Sequence, residues 1–162
     1  MAAIPRLAAP TLSDDDQLHW LALRLIAGLG TVRAQHLIRH FKTPQQIFRA
    51  STSELEAQGA SGAVARAIHS GCVFEDAVAQ HERLKATGTV LLPWTDPRYP
   101  RRLKEIYDPP ILLFARGRLD LLDSLMIAVV GTRRPTPYGM AAAERLATDL
   151  SLAGVTISSG MA

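Results

Sequence analysis

The feature that most constrains the fold is the stretch from Met126 to Gly160. Met126-Ile127-Ala128-Val129-Val130 is a short, continuous apolar run ending in Gly131, the pattern of a parallel strand buried on both faces. Thr136 and Pro137 then supply an N-cap and a first-turn proline. Ala143, Leu146, Ala147 and Leu150 recur at helical spacing, and Gly154 stands where a helix ends. Val155-Thr156-Ile157-Ser158 reads as a second strand that closes in Ser159-Gly160. The whole is a βαβ unit, and the start of its helix favours anions, phosphate above all.

A dinucleotide site would carry G-x-G-x-x-G here and an acidic residue at the end of the second strand. Instead Gly131 is followed by Thr132-Arg133-Arg134, and the second strand ends without a carboxylate. No G-x-x-x-x-G-K-[ST] phosphate loop is present either. Two arginines and a serine-glycine turn at adjacent strand ends form a cradle suited to a nucleic-acid backbone. The candidate contacts are therefore Gly131, Thr132, Arg133, Arg134, Ser159 and Gly160. An arginine directly after a buried strand would be desolvated without an anion, which singles out Arg133.

Val130-Gly131-Thr132-Arg133, Pro137-Tyr138-Gly139 and Ser159-Gly160-Met161-Ala162 resemble the DprA (Smf) family of bacterial DNA-processing proteins. The likeness extends upstream through Asp96-Pro97-Arg98-Tyr99-Pro100, Asp108-Pro109-Pro110 and Leu113-Phe114-Ala115-Arg116-Gly117, in the family's order. The resemblance implies a Rossmann-like domain that binds single-stranded DNA and delivers it to the RecA recombinase in natural transformation, with no catalysis and no cofactor. It also implies a homodimer in the full-length protein. The family's glycine-isoleucine-aspartate continuation does not follow the Ser-Gly turn, so the sheet is expected to be truncated, only its first part lying in this chain. The competing class is an enzyme of the lysine-decarboxylase-like phosphoribohydrolase kind, whose Rossmann-like fold also uses glycine turns against nucleotide phosphates. Ser158 and Ser159 lack the G-x-S-x-G elbow, and no histidine is placed by sequence to serve them.

Upstream, residues 1–12 read as a flexible leader and residues 13–73 as an all-helical domain, with 74–162 as the DNA-binding domain. Ser13 caps a helix whose first turn holds Asp14, Asp15 and Asp16, three adjacent carboxylates that suit a helix start better than a metal. Leu18, Leu21 and Leu25 form its buried stripe. Gly28-Leu29-Gly30 then turns into a second helix in the manner of a helix-hairpin-helix, where glycine lets backbone approach a phosphate. Gly28, Gly30 and Arg33 are thus possible secondary phosphate contacts, a tight helical hairpin being the alternative. The resemblance places this segment in a bundle related to sterile-alpha-motif (SAM-like) folds. Thr43-Pro44-Gln45-Gln46 and Ser51-Thr52-Ser53-Glu54 start further helices, and Gln58 to Ala63 reads as a degenerate second hairpin. His36 and His40 have metal-pair spacing, but no third ligand accompanies them.

A helix from Phe74 to Gly88, with Ala77, Val78, His81 and Leu84 on one side, leads to short strands at Thr89–Leu92 and Ile111–Ala115. Between them Arg98, Arg101, Arg102 and Lys104 form either a basic groove or a solvated face. The net charge of +3 is compatible with nucleic acid without requiring it, and 48% hydrophobic content excludes a disordered chain. Aromatic residues, at 6%, are too sparse for a continuous base-stacking platform. The lone Cys72 excludes an internal disulfide and fits a reducing cytoplasm; no apolar run has the length of a membrane span.

Overall fold

Helix caps decide where most of the chain's elements begin. In the computed structural model, which describes residues 12–160, the Ser13 hydroxyl accepts from the Asp16 N–H and the Asp16 carboxylate accepts from the Ser13 N–H, a capping box that starts α1 (Asp14–Leu25). Gly30 opens α2 (Thr31–Phe41), and Thr43 caps α3 (Pro44–Arg49) through the Gln46 N–H. A second capping box, Ser51 with Glu54, starts α4 (Thr52–Ala57), and Ser61 caps α5 (Gly62–Ser70). Gly71 ends α5 in the left-handed region that glycine tolerates, and Gly88 ends α6 (Phe74–Thr87) in the same way.

The described residues divide into two compact units, one up to Gly117 and one from Arg118 onward. The first has a core of Trp20, Leu21 and Leu23 from α1, Leu37 and Ile38 from α2, Ile47, Leu55, and Val64 and Ile68 from α5. Leu21 is the fully buried member of the expected α1 stripe, while Leu18 and Leu25 are half-buried. α6 packs on α1, placing Ala77 and His81 inside; Val78, expected beside them, is exposed because it falls on the outer half of that face. His19 meets Phe48 and Phe74 edge-on, the two phenylalanine rings lie tilted against each other, and the three tie α1, α3 and α6 together.

Strands β1 (Val90–Pro93) and β2 (Leu112–Ala115) pair antiparallel, Val90 opposite Ala115 and Pro93 opposite Leu112. Leu91 and Leu112 join the helical core, so this hairpin belongs with the helices. The short helix α7 (Arg101–Lys104) lies in the connection. These two apolar runs of four residues form a two-stranded antiparallel sheet of their own.

The second unit holds a 3-10 turn (Leu119–Asp123), then β3 (Met126–Ala128), α8 (Pro137–Leu152) and β4 (Thr156–Ser158). β3 and β4 are parallel neighbours, Met126 opposite Thr156 and Ala128 opposite Ser158. Thr136 caps α8 through the Gly139 N–H, and Gly154 follows its end at φ 82°. The expected βαβ unit is formed. Its strands are not buried on both faces, however: Ile127 is 41% exposed and Val130 86%. Ala147 and Leu150 of α8 are half-buried, whereas Ala143 and Leu146 face outward. One helix over two short strands covers one face of a sheet, which leaves the other open.

Candidate nucleic-acid interface

The parallel register of β3 and β4 sets the geometry of the site. With Ala128 opposite Ser158, and the Val129 N–H donating to the Ser158 carbonyl at 2.9 Å, both strands end at the same edge. The loop Gly131–Pro135 leaves one strand end, and Ser159-Gly160 leaves the other. α8 starts from that loop, so its amino end belongs to the same edge, the carboxyl edge where open α/β sheets receive ligands. All six sequence candidates lie in these two connections. Gly131, Thr132, Arg133, Arg134, Ser159 and Gly160 are exposed.

Local chemistry shapes the loop. The Thr132 hydroxyl accepts from the Arg134 N–H at 3.2 Å, folding residues 132–134 into a tight bend that sends the two arginines out in succession. Arg133 is thus solvated and not, as expected, desolvated without an anion, because the strand before it is too open to exclude water. What remains is a flexible cation next to backbone donors. The amino end of α8 supplies fewer of these than a helix start usually does, because Pro137 has no N–H and the Gly139 N–H is taken by Thr136. The Tyr138 N–H is the first-turn donor outside the cap. Gly131 and Gly160 have open space where a Cβ would stand, which lets a ligand approach the main chain at both strand ends.

The basic stretch of the first unit resolves into distinct roles. Asp96 is 7% exposed and accepts from the Arg98 backbone N–H at 2.7 Å and from its guanidinium at 3.0 and 2.7 Å. Burial pushes the Asp96 pKa up, but these bonds, the Arg98 charge and nearby Lys104 outweigh it and hold the carboxyl below its ordinary range. Arg98 is therefore a structural partner rather than a groove cation. Lys104 lies over the rings of Trp94 and Tyr99, at 5.7 and 5.5 Å, while Arg101 and Arg102 are exposed. Tyr99, 1% exposed, donates its hydroxyl to the Pro110 carbonyl at 2.7 Å. These contacts explain why Asp96, Arg98, Tyr99 and Pro110 occur together without invoking a ligand.

In the helical hairpin Gly28 has φ 78°, but Gly30 has φ −66° and open space around it, so the first glycine makes the turn and the second does not require its freedom. Arg33 reaches back to the Gly28 carbonyl at 3.5 Å. His36 meets Gln58 at 3.3 Å and His40 lies against Phe41, so the pair does not converge; no group of three metal-ligating side chains occurs among the described residues. No helix among them is long and apolar enough to cross a membrane.

Comparison with known proteins adds a second line. The model of the family described as DNA recombination-mediator protein A matches residues 90–162. The chain is 30% identical over 158 residues to Protein Smf of Synechocystis, covering 93% of this chain and 39% of that protein. It is 42% identical over 76 residues to the DNA processing protein DprA of Bacillus subtilis, covering 46% of this chain and 26% of the relative. With DprA of Streptococcus pneumoniae it shares 43% identity over 63 residues, 39% of this chain and 22% of that one. The chain thus spans less than half the length of these relatives. The family match begins at β1 and takes in the whole βαβ unit, and the Synechocystis relative aligns through the helical part as well: the chain belongs to the DprA/Smf family.

Proposed function

We propose that this chain contributes the phosphate-contacting strand ends of a single-stranded DNA-binding protein that acts in DNA processing for transformation and recombination. The observation that carries the reading is the parallel register of β3 and β4, which brings a loop with Arg133 and Arg134 and a Ser159-Gly160 turn to one sheet edge. Relatives named for DNA processing support the direction. In this reading β3, α8 and β4 are the opening of a Rossmann-like sheet, and residues 13–73 are a SAM-like helical module. In the proposed division into 13–73 and 74–162, α6 of the second part packs on α1 of the first. The protein binds without catalysis, hands its strand to the RecA recombinase, and acts as a homodimer in the bacterial cytoplasm.

The arginines supply charge-assisted contacts and the glycines admit the backbone, so affinity depends on phosphates rather than on base sequence. Arg133→Ala should weaken oligonucleotide binding about ten- to a hundredfold, the equivalent of roughly 1.5–3 kcal/mol. The slope of log affinity against log salt should fall by about 0.7 for one lost single-strand phosphate contact. A folded variant with unchanged affinity and slope would defeat the model. Turnover of a nucleoside monophosphate by the wild-type chain would favour the phosphoribohydrolase class instead.

A further inference from the structure

The first unit carries a cavity of about 610 Å³ that the strand-end site does not use. Its walls come from three places: the Gly28–Val32 turn and the start of α2 with Arg33 and His36, the Gln58-Gly59 turn between α4 and α5, and Tyr107-Asp108. The two glycine turns keep those walls free of bulk, Gly59 lying at φ 83° with no atom within 4 Å of where a Cβ would be.

Two side chains give the cavity its chemistry. Tyr107 is 97% exposed, which no packing role explains. An aromatic face left in water beside an open cavity is a stacking platform for a flat partner. Arg33 is exposed, and among the described residues its guanidinium reaches only the Gly28 carbonyl, at 3.5 Å, which leaves other N–H groups for a ligand. Asp108 is the one carboxylate in the lining. Against it stand Arg33 and Arg39 on exposed positions of α2, about 9 Å apart along the axis of a helix with no acidic residue. Arg39 lies over the Trp94 ring at 5.0 Å, and Lys104 over the same ring at 5.7 Å, so the cationic face continues beyond the cavity. An aromatic platform followed by a row of cations fits a strand with free bases and a charged backbone, whereas a duplex would offer Tyr107 no base face.

We infer that this cavity and the adjoining face of α2 form a second single-stranded nucleic-acid contact, with Tyr107 stacking one base and Arg33 and Arg39 following the phosphates. The site is independent of the strand-end loop of the second unit.

The test uses the 162-residue chain and a labelled twenty-nucleotide oligothymidylate. Tyr107→Ala and Tyr107→Phe are each made in an Arg133→Ala background, so that any loss is read on a protein already lacking the strand-end arginine. Tyr107→Ala should weaken binding roughly five- to a hundredfold, and Tyr107→Phe should restore it, because stacking needs the ring and not the hydroxyl. Arg33→Ala and Arg39→Ala should each lower the salt slope by about 0.7. Circular dichroism checks folding, and photo-crosslinking of a halogenated oligonucleotide to the unmutated chain, mapped by mass spectrometry, should label Tyr107. Unchanged affinity in a folded Tyr107→Ala variant, or crosslinks confined to the second unit, would overturn the proposal. A loss on Tyr107→Ala with none on Arg133→Ala would sustain this site and sink the strand-end reading.

Discussion

The side-chain amide of Gln35 on α2 donates to the main-chain carbonyl of Pro109 at 2.7 Å, joining residues 74 positions apart inside the first unit. Gln35 is 7% exposed and Pro109 is buried, so neither group has ready access to water. The bond anchors the turn that follows Tyr107 and Asp108 against the helix that carries Arg33 and His36. Gln35→Ala strips a buried carbonyl of its partner, at a cost of about 1–3 kcal/mol. Urea unfolding should show the midpoint falling by the corresponding amount with little change in slope. An unchanged midpoint would mean that the carbonyl finds another donor and that the turn is held by Tyr99 and its Pro110 contact instead.

A pH effect follows from Asp96. Its carboxyl is held below the ordinary range in the folded chain, so the ionised form favours folding. The stabilisation is complete above the unfolded value of about 3.9 and disappears as pH falls through the lower folded value. Asp96→Asn removes the charge that Arg98 needs and cannot match both guanidinium bonds. The variant should melt lower than wild type near neutral pH, and the gap should narrow in acid, as the wild-type carboxylate is protonated. Parallel melting curves from neutral pH into acid would show that Asp96 and Arg98 contribute no linked stability.

The two glycines of the α1–α2 turn should respond differently. Gly28, at φ 78°, sits where an L-residue is strained, and an added Cβ would meet the Val64 side chain at an ordinary 3.5 Å. The cost of Gly28→Ala is therefore conformational, about 1–2 kcal/mol. Gly30 has φ −66° and free space, so Gly30→Ala carries no backbone strain and should cost only roughly 0.5–1 kcal/mol, the difference between glycine and alanine at an N-cap. Thermal melts of the two single variants decide the matter. Equal destabilisation would place the turn's strain at Gly30 as well.

Legibility in the sequence followed the range of the interactions. The caps at Ser13, Thr43, Ser51 and Thr136 each act across three residues, and all of them form as the local pattern indicates. The β3-α8-β4 unit was readable for the same reason, its helix signals lying between two apolar runs. Pairing between β1 and β2 was not, because a four-residue apolar run carries no mark of partner or direction. Nor was the Gln35–Pro109 bond, or the commitment of Arg98 to Asp96 rather than to a groove. The exposure of Arg133 depended on what covers β3 from the side, a property of packing that the motif itself does not contain. Tyr107 carries no signal in the sequence, because an isolated aromatic has no periodicity; its near-complete exposure beside a cavity is visible in three dimensions alone.

The openness of the second unit has a measurable consequence for the strand-end site. None of its described residues is buried, and Leu125, Ile127, Val130, Met140, Leu146 and Leu152 are each at least 41% exposed. The β3–β4 pairing rests on a few main-chain bonds, among them Val129 to Ser158 and Thr156 to Leu125, both 2.9 Å. Main-chain bonds that water can reach open readily, because little apolar burial is lost when they break. Hydrogen exchange of the 162-residue chain should therefore be much faster at Val129 and Thr156 than at Leu21, Leu23 and Leu37 in the helical core. If Arg133, Ser159 and Gly160 hold a phosphate across the two strand ends, an oligonucleotide should slow exchange at Val129 and Thr156, since it binds the closed sheet and not the open one. The core helices should not change. Core-like protection of these amides in the free chain would mean that the sheet is covered, and exchange unaltered by saturating oligonucleotide would separate the strand ends from DNA binding.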